Sequence, residues 1–273
     1  MPTGDVPSQP DRDTALRVVS HGGGVQTTAM LVLAAQGRID YQTFLFANVG
    51  DDSEDPLTLR YLREIAKPYA RRWNIGIYEI ARPGDTLYQR LLSPRRSVDI
   101  PVRMANGAPG NRNCTAEYKI KVVGRWLKDR GATAENKATV AVGISKDEIH
   151  RASNRKIAPY ETIEYPLLDL RMNRADCAGL IQSAGLPLPP KSACWFCPFH
   201  KASQWAEMRR DREPLFIAAA GLEAQLIRKR ATLGKDPVYL TQAGVPLGEA
   251  IGSAQDTLWT DDDAHCDNGW CMT

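Results

Sequence analysis

Two stretches of this chain combine residue types and spacings suited to chemistry. The first is Ser20-His21-Gly22-Gly23-Gly24-Val25-Gln26-Thr27-Thr28. Three consecutive glycines let a backbone approach a ligand closely and take positive φ angles. The amides of such a loop, and of the helical turn behind it, converge where the helix dipole also favours negative charge. Thr27 and Thr28 can cap that helix and offer hydroxyls to a phosphate. A flexible turn with capping threonines is the plainer alternative, but an apolar strand leads in and an apolar helix follows at once. The loop is neither a Walker sequence, since no Gly-Lys-Ser/Thr follows, nor a Gly-x-Gly-x-x-Gly loop.

The second stretch is Cys194-Trp195-Phe196-Cys197-Pro198-Phe199-His200. A Cys-x-x-Cys turn brings two thiolates onto one metal, and a proline after the second cysteine is frequent at iron–sulfur sites. With Cys114 and His200 the pair would make a closed Cys₃His zinc site; alone it would make a redox dithiol. Trp195, Phe196 and Phe199 would shield a cluster from water, and are equally ordinary core residues. Cys177, in the amphipathic run 175–181, reads as a buried small side chain. The six cysteines are too few and too unevenly spaced for a disulfide scaffold. His21 could touch a phosphate or be a spectator.

These residues need a frame. Residues 16–20, 43–47 and 75–80 read as short strands, and 27–36 and 58–73 as helices. The middle strand lacks polar alternation, as in a parallel sheet covered on both faces. The succession strand, helix, strand, helix, strand predicts an α/β doubly wound fold. Residues 82–110, with Pro83, Pro94, Pro101 and Pro109, read as a long loop or lid. Helix returns over 116–130, strand over 139–144, a short apolar segment over 165–170, and helices over 175–183 and 202–230. The domain expectation is a mobile leader over 1–14, a nucleotide-binding and sulfur-chemistry domain over 15–230, and a C-terminal extension over 231–273 with a mobile, cysteine-containing tail.

Lys119 and Arg151 fall at strand-to-helix turns, where α/β sheets place ligands beyond the carboxyl ends of their strands. Each could balance phosphate or sulfate charge, Arg151 through its planar fork, or be a surface cation. Bulk properties set limits. The chain has 273 residues, 43% hydrophobic and 25% charged, enough for a sizeable core. A net charge of +3 permits an anionic substrate without arguing for nucleic acid. The cluster Arg228-Lys229-Arg230 reads first as a solvated helix face. No apolar run is long enough for a membrane span or follows the N-terminus as a secretion signal would, so a cytoplasmic location is expected.

The glycine loop resembles the pyrophosphate loop of the N-type ATP pyrophosphatases and the phosphoadenosine phosphosulfate (PAPS) reductases. Their usual Ser-Gly-Gly-x-Asp-Ser is matched by Gly22 to Thr27, with Gln26 in the acidic place, closer to the reductases. Phe46-Ala47-Asn48-Val49-Gly50 is similar to the strand end that receives adenine and ribose, with Asn48 for Asp. Asn113-Cys114-Thr115-Ala116-Glu117-Tyr118-Lys119 is similar to the Cys-Thr segment whose lysine leads a helix. Gly143-Ile144-Ser145-Lys146-Asp147-Glu148 with Arg151 is similar to the family's Gly-Ile-Arg-x-x-Glu-Ser-x-x-Arg. Tyr165-Pro166-Leu167-Leu168-Asp169 resembles its Pro-Leu-hydrophobic-Asp strand. The five motifs run in the family's order over residues 16–225.

The resemblance implies a Rossmann-like sheet of the adenine nucleotide alpha hydrolase type with a helical C-terminal extension. It implies that Ser20, Gly22, Gly23, Gly24, Gln26, Thr27, Thr28, Asn48, Gly50 and Gly143 bind ATP or PAPS, with Mg²⁺ where ATP is cleaved. Cys114, Cys194 and Cys197 would hold three irons of a [4Fe–4S] cluster, zinc being the alternative, and the open iron could carry sulfide. Lys119, Arg151 and Cys271 are the implied catalytic residues. Cys271, like Cys266, sits near glycine as does the swinging nucleophile of sulfonucleotide reductases. The expected function is adenine-nucleotide-dependent sulfur transfer: a substrate oxygen is adenylated by ATP, and AMP is displaced by sulfide or persulfide sulfur. The alternatives are a PAPS reductase releasing sulfite, and a non-catalytic nucleotide- and metal-binding subunit. Implied partners are a cysteine desulfurase or sulfide as donor and a nucleic acid as acceptor, with no membrane; a homodimer is compatible.

Overall fold

The computed structural model describes residues 16–154 and 157–252. Its strands are β1 (Arg17–Ser20), β2 (Thr43–Asn48), β3 (Gly76–Ala81), β4 (Arg103–Met104), β5 (Ala138–Val142), β6 (Glu161–Glu164) and β7 (Val238–Tyr239). Five form an all-parallel sheet in the order β3-β2-β1-β5-β6, and β4 pairs antiparallel with β7. With helices on both faces, this is an α/β doubly wound arrangement.

Neighbouring residues of the central strands face opposite cores, which explains their unbroken apolar sequence. Val19, Phe44 and Phe46 pack into one cluster with the helices Val25–Ala35 and Arg174–Ser183. Val18, Leu45, Val140 and Val142 pack into another, with Val123 and Leu127 of the helix Lys121–Lys128. A third cluster joins the helix Leu87–Leu92 and Trp195–Phe196 to the helices Ala202–Asp211 and Glu213–Ala231.

Three expectations about elements need correction. Residues 82–110 are not one irregular loop. Leu87–Leu92 is a helix, started by a capping box between Thr86 and Gln89, and β4 follows. The prolines lie outside the helix, while Leu87 and Leu91 keep the helical spacing that buries both. Over 165–170 there is a helical turn, Pro166–Asp169, with Pro166 in its first turn, not a strand. The strand is β6 just upstream, an edge strand whose half-exposed face accounts for its polar sequence. The first helix begins at Val25 rather than Thr27, so Gly24 is its N-cap and neither threonine caps it.

The helices on either side of β3 each carry a π-turn, over Leu62–Ala66 and Ala116–Ile120, the second holding Lys119. Such turns re-aim side chains and recur at functional sites.

Candidate functional site

From β1 the chain builds outward through β2 to β3, then crosses back to lay β5 on the other side of β1. The order therefore reverses between β1 and β5, and in open α/β sheets ligands bind beyond the strand ends at such a point. The glycine loop follows β1 there, and Gly143 to Ser145 follow β5.

Backbone demands set the loop's sequence. His21 N donates to Leu45 O at 2.8 Å, extending the sheet ladder. Gly23 has φ +77°, and a Cβ there would lie 3.2 Å from Thr58 Cγ2 and 3.3 Å from Phe46. Gly24 offers the helix no side-chain cap. Among the described residues, the amides of Gly23, Gly24, Val25 and Gln26 pair with no backbone acceptor. They are the orphan donors of a helix N-terminus. Thr27 Oγ1 donates to Gly24 O at 3.3 Å, while the buried Thr28 hydroxyl meets no partner among the described residues.

Gln26 is spent on the protein. Its Nε2 donates to Glu148 Oε2 at 3.2 Å and Ser145 Oγ at 3.4 Å, and its Oε1 accepts from Arg174 Nη1 at 3.2 Å. Glu148 in turn accepts from Arg151 Nη1 at 2.6 Å. The Arg151 side chain is 7% exposed, and among the described residues its Nε and Nη2 have no hydrogen-bond partner. Those two donors form the side-on fork that matches two oxygens of a phosphate, sulfate or carboxylate.

Beneath the loop, a small cleft is lined by Ser20, His21, Gly22, Leu45, Phe46, Ala47, Lys119 and Val142. Asn48 stands at its edge as a turn-former: Oδ1 accepts from Gly50 N at 2.8 Å and Nδ2 donates to Asp51 at 2.7 Å. Asp51 and Glu79 are bound by Arg63, which holds both carboxyls below their usual range. Gly50, at φ +128°, has Thr86 Cβ 2.5 Å from where its own Cβ would be. The His21 ring packs edge-on to Phe44. Neither ring nitrogen has a hydrogen-bond partner of ordinary geometry. Burial lowers its pKa to about 4, with the Thr27 backbone pulling weakly upward.

Cys194 and Cys197 lie on a turn closed by Cys197 N donating to Cys194 O at 3.1 Å. His200 N donates to Cys197 O at 3.0 Å, and its Nε2 lies 2.9 Å from Cys194 O. That nitrogen serves the turn. Cys114 and Cys194 are part-buried and border the same apolar cluster. Among the described residues, no group of three His, Cys, Asp or Glu side chains is placed to hold a metal ion. Cys177 is buried, as expected, and burial raises its pKa to about 12. The leader, Cys266 and Cys271 lie outside the described residues.

Two residues that sequence reasoning missed join these parts. Glu54 is 1% exposed. Burial raises its pKa while Lys119 pulls it back, and Val49 N donates to it at 3.4 Å. It sits in the acidic run Asp51 to Asp55, which looks like a solvated loop. The Ser192 hydroxyl donates to Gly22 O, a contact that no local pattern announces. In the basic cluster, Lys229 Nζ donates to Leu91 O at 3.0 Å and Arg230 Nε to Asp236 O at 2.6 Å, so both hold the fold together. No helix among the described residues is long and apolar enough to cross a membrane. No protein-family model matches the chain, and neither does any curated protein.

Proposed function

We propose that this chain is an adenine-nucleotide-dependent sulfur-transfer enzyme, with a Rossmann-like sheet of the PP-loop type and a helical C-terminal extension. The observation that carries the reading is Arg151: two buried donors without a protein acceptor, tied through Glu148 and Gln26 to a loop of unpaired amides. Such a set recognises an anion with several oxygens, and a nucleotide phosphate chain spans both parts.

In this reading ATP lies with its phosphates on the amides of Gly23 to Gln26 and the Thr28 hydroxyl. Adenine and ribose enter the cleft beside Leu45 to Ala47. An oxygen of the acceptor attacks the α-phosphorus, the bond to the β-phosphate oxygen breaks, and pyrophosphate leaves. Arg151 and the loop amides stabilise the charge that gathers on the departing group, which is electrostatic and positional work. Lys119, which lines the cleft, balances the α-phosphate. Sulfur then displaces AMP from the activated acceptor.

The thiols of Cys114, Cys194 and Cys197 fit a soft metal centre by donor type: two flank one turn and the third borders the same apolar cluster. A [4Fe–4S] cluster held by three cysteines would supply one iron for carrying sulfide.

The test is anaerobic reconstitution with iron and sulfide, followed by turnover assays. Iron and labile sulfide retained in the wild type and lost in Cys194→Ser, with pyrophosphate released from ATP, is the expected result. Sulfite from PAPS without pyrophosphate from ATP would replace the reading with sulfonucleotide reduction. Binding without either product would leave a non-catalytic nucleotide-binding subunit.

A further inference from the structure

We propose that Ser192 is a positioning residue that couples the phosphate loop to the Cys194–Cys197 turn, so that occupancy of either site is felt at the other. The inference rests on the nucleotide reading above. Ser192 Oγ donates to the carbonyl oxygen of Gly22. In a planar trans peptide the carbonyl and the following N–H point in opposite directions. Drawing the Gly22 carbonyl onto Ser192 therefore turns the Gly23 N–H away from residue 192, where a ligand can use it. Gly23 holds this orientation at φ +77°, a backbone conformation open to glycine, and a side chain added there would meet Thr58 Cγ2 at 3.2 Å.

Ser192 is itself on a rigid arm. Ala193 O accepts from Asp55 N at 3.1 Å and Trp195 N donates to Ser53 O at 3.3 Å. Glu54 and Cys194 form an antiparallel bridge, and Trp195 Nε1 donates to Asp52 O at 2.8 Å. Residues 193–195 are thus clamped to 52–55, with Ser192 at one end on the loop and Cys194 two residues further on. A shift of the thiol turn is carried to Gly22, and a shift of Gly22 is carried back. Linkage makes such coupling reciprocal.

The experiment uses the full chain as wild type, Ser192→Ala and Ser192→Thr. ATP affinity is measured by equilibrium dialysis. Alkylation of Cys194 and Cys197 by iodoacetamide is followed by mass spectrometry, with and without saturating ATP. In the wild type, ATP should change the alkylation rate of the pair about fivefold or more. Ser192→Ala should bind ATP about five- to tenfold more weakly, the usual effect of losing one such hydrogen bond. At saturation its alkylation should no longer respond to ATP. Ser192→Thr, which keeps the hydroxyl, should retain the response. A Ser192→Ala protein whose thiols still respond to ATP overturns the proposal, whatever its affinity. So does a wild type that binds ATP without any change at the thiols, a result that needs no variant to fold. A wild type that binds neither ATP nor PAPS instead overturns the nucleotide reading itself.

Discussion

Gly143 lies against the first turn of the helix Val25–Ala35: a Cβ on it would come within 2.7 Å of Thr27 Cγ2 and 3.3 Å of Thr27 N. The loop after β5 and the loop after β1 therefore touch through a glycine at the point where the strand order reverses. Its φ is not in the left-handed region, so the glycine is required for space alone. Gly143→Ala should push the helix start away from β5, lowering stability by about 1–3 kcal/mol as overpacking does. Nucleotide affinity should fall with it. Gly179→Ala is the control, since its added Cβ meets nothing within 4 Å in mid-helix. It should raise stability by up to about 1 kcal/mol through helix propensity. Denaturant unfolding of both variants separates the two signs.

Gln26 is anchored through both ends of its side-chain amide. Its Nε2 faces Glu148 Oε2 at 3.2 Å. A carboxylate there would confront a carboxylate, which is unfavourable unless one is protonated. Gln26→Glu should therefore destabilise the protein by about 1–3 kcal/mol, with Arg174 Nη1 on the other oxygen offsetting part of the repulsion. Adding Glu148→Gln should recover most of the loss. A double variant no more stable than Gln26→Glu would show that the two side chains do not interact as described.

Arg151 separates charge from geometry. Arg151→Lys keeps a cation for Glu148 but removes the fork made by Nε and Nη2. ATP affinity should fall by about 10- to 100-fold, the range for losing hydrogen bonds to a charged group, with little change in thermal stability. Equal affinity in Arg151→Lys and the wild type would make the residue a structural partner of Glu148 only.

Much of this site can be read along the chain because its key demands are local. A run of glycines between an apolar strand and an apolar helix is a backbone requirement, and Gly22 to Gly24 meet it in three adjacent residues. Gly143 could be placed because doubly wound sheets put strand ends on one edge, whereas Lys119 lies inside a π-turn and Arg151 inside a 3-10 helix rather than at strand-to-helix turns. What was hidden depends on contacts across the sequence. Ser192 meets Gly22 from 170 residues away. Glu54 is buried because residues 193–195 cover its loop, so an acidic run that looks solvated hides a carboxylate. An edge strand is half polar, so β6 shows no apolar run, and the apolar run just downstream is a helical turn with Pro166 in its first turn.

His21 should leave a mark on the pH dependence of stability. In the folded protein it is buried against Phe44, with its pKa lowered from 6.5 to about 4. The unfolded chain therefore binds a proton that the folded chain refuses at any pH between those values. Stability is unaffected by this group above about pH 7. It falls as pH drops through 6.5 toward 4, and below 4 both states are protonated and the loss is complete. A shift of this size corresponds to about 3 kcal/mol. His21→Phe removes the titrating group and keeps an aromatic ring beside Phe44. Unfolding free energies of both proteins, measured by denaturant titration between pH 7.5 and about pH 4, should diverge. The wild type should lose about 3 kcal/mol more than the variant. Parallel curves would mean that the imidazole is charged, or accessible to water, in the folded state.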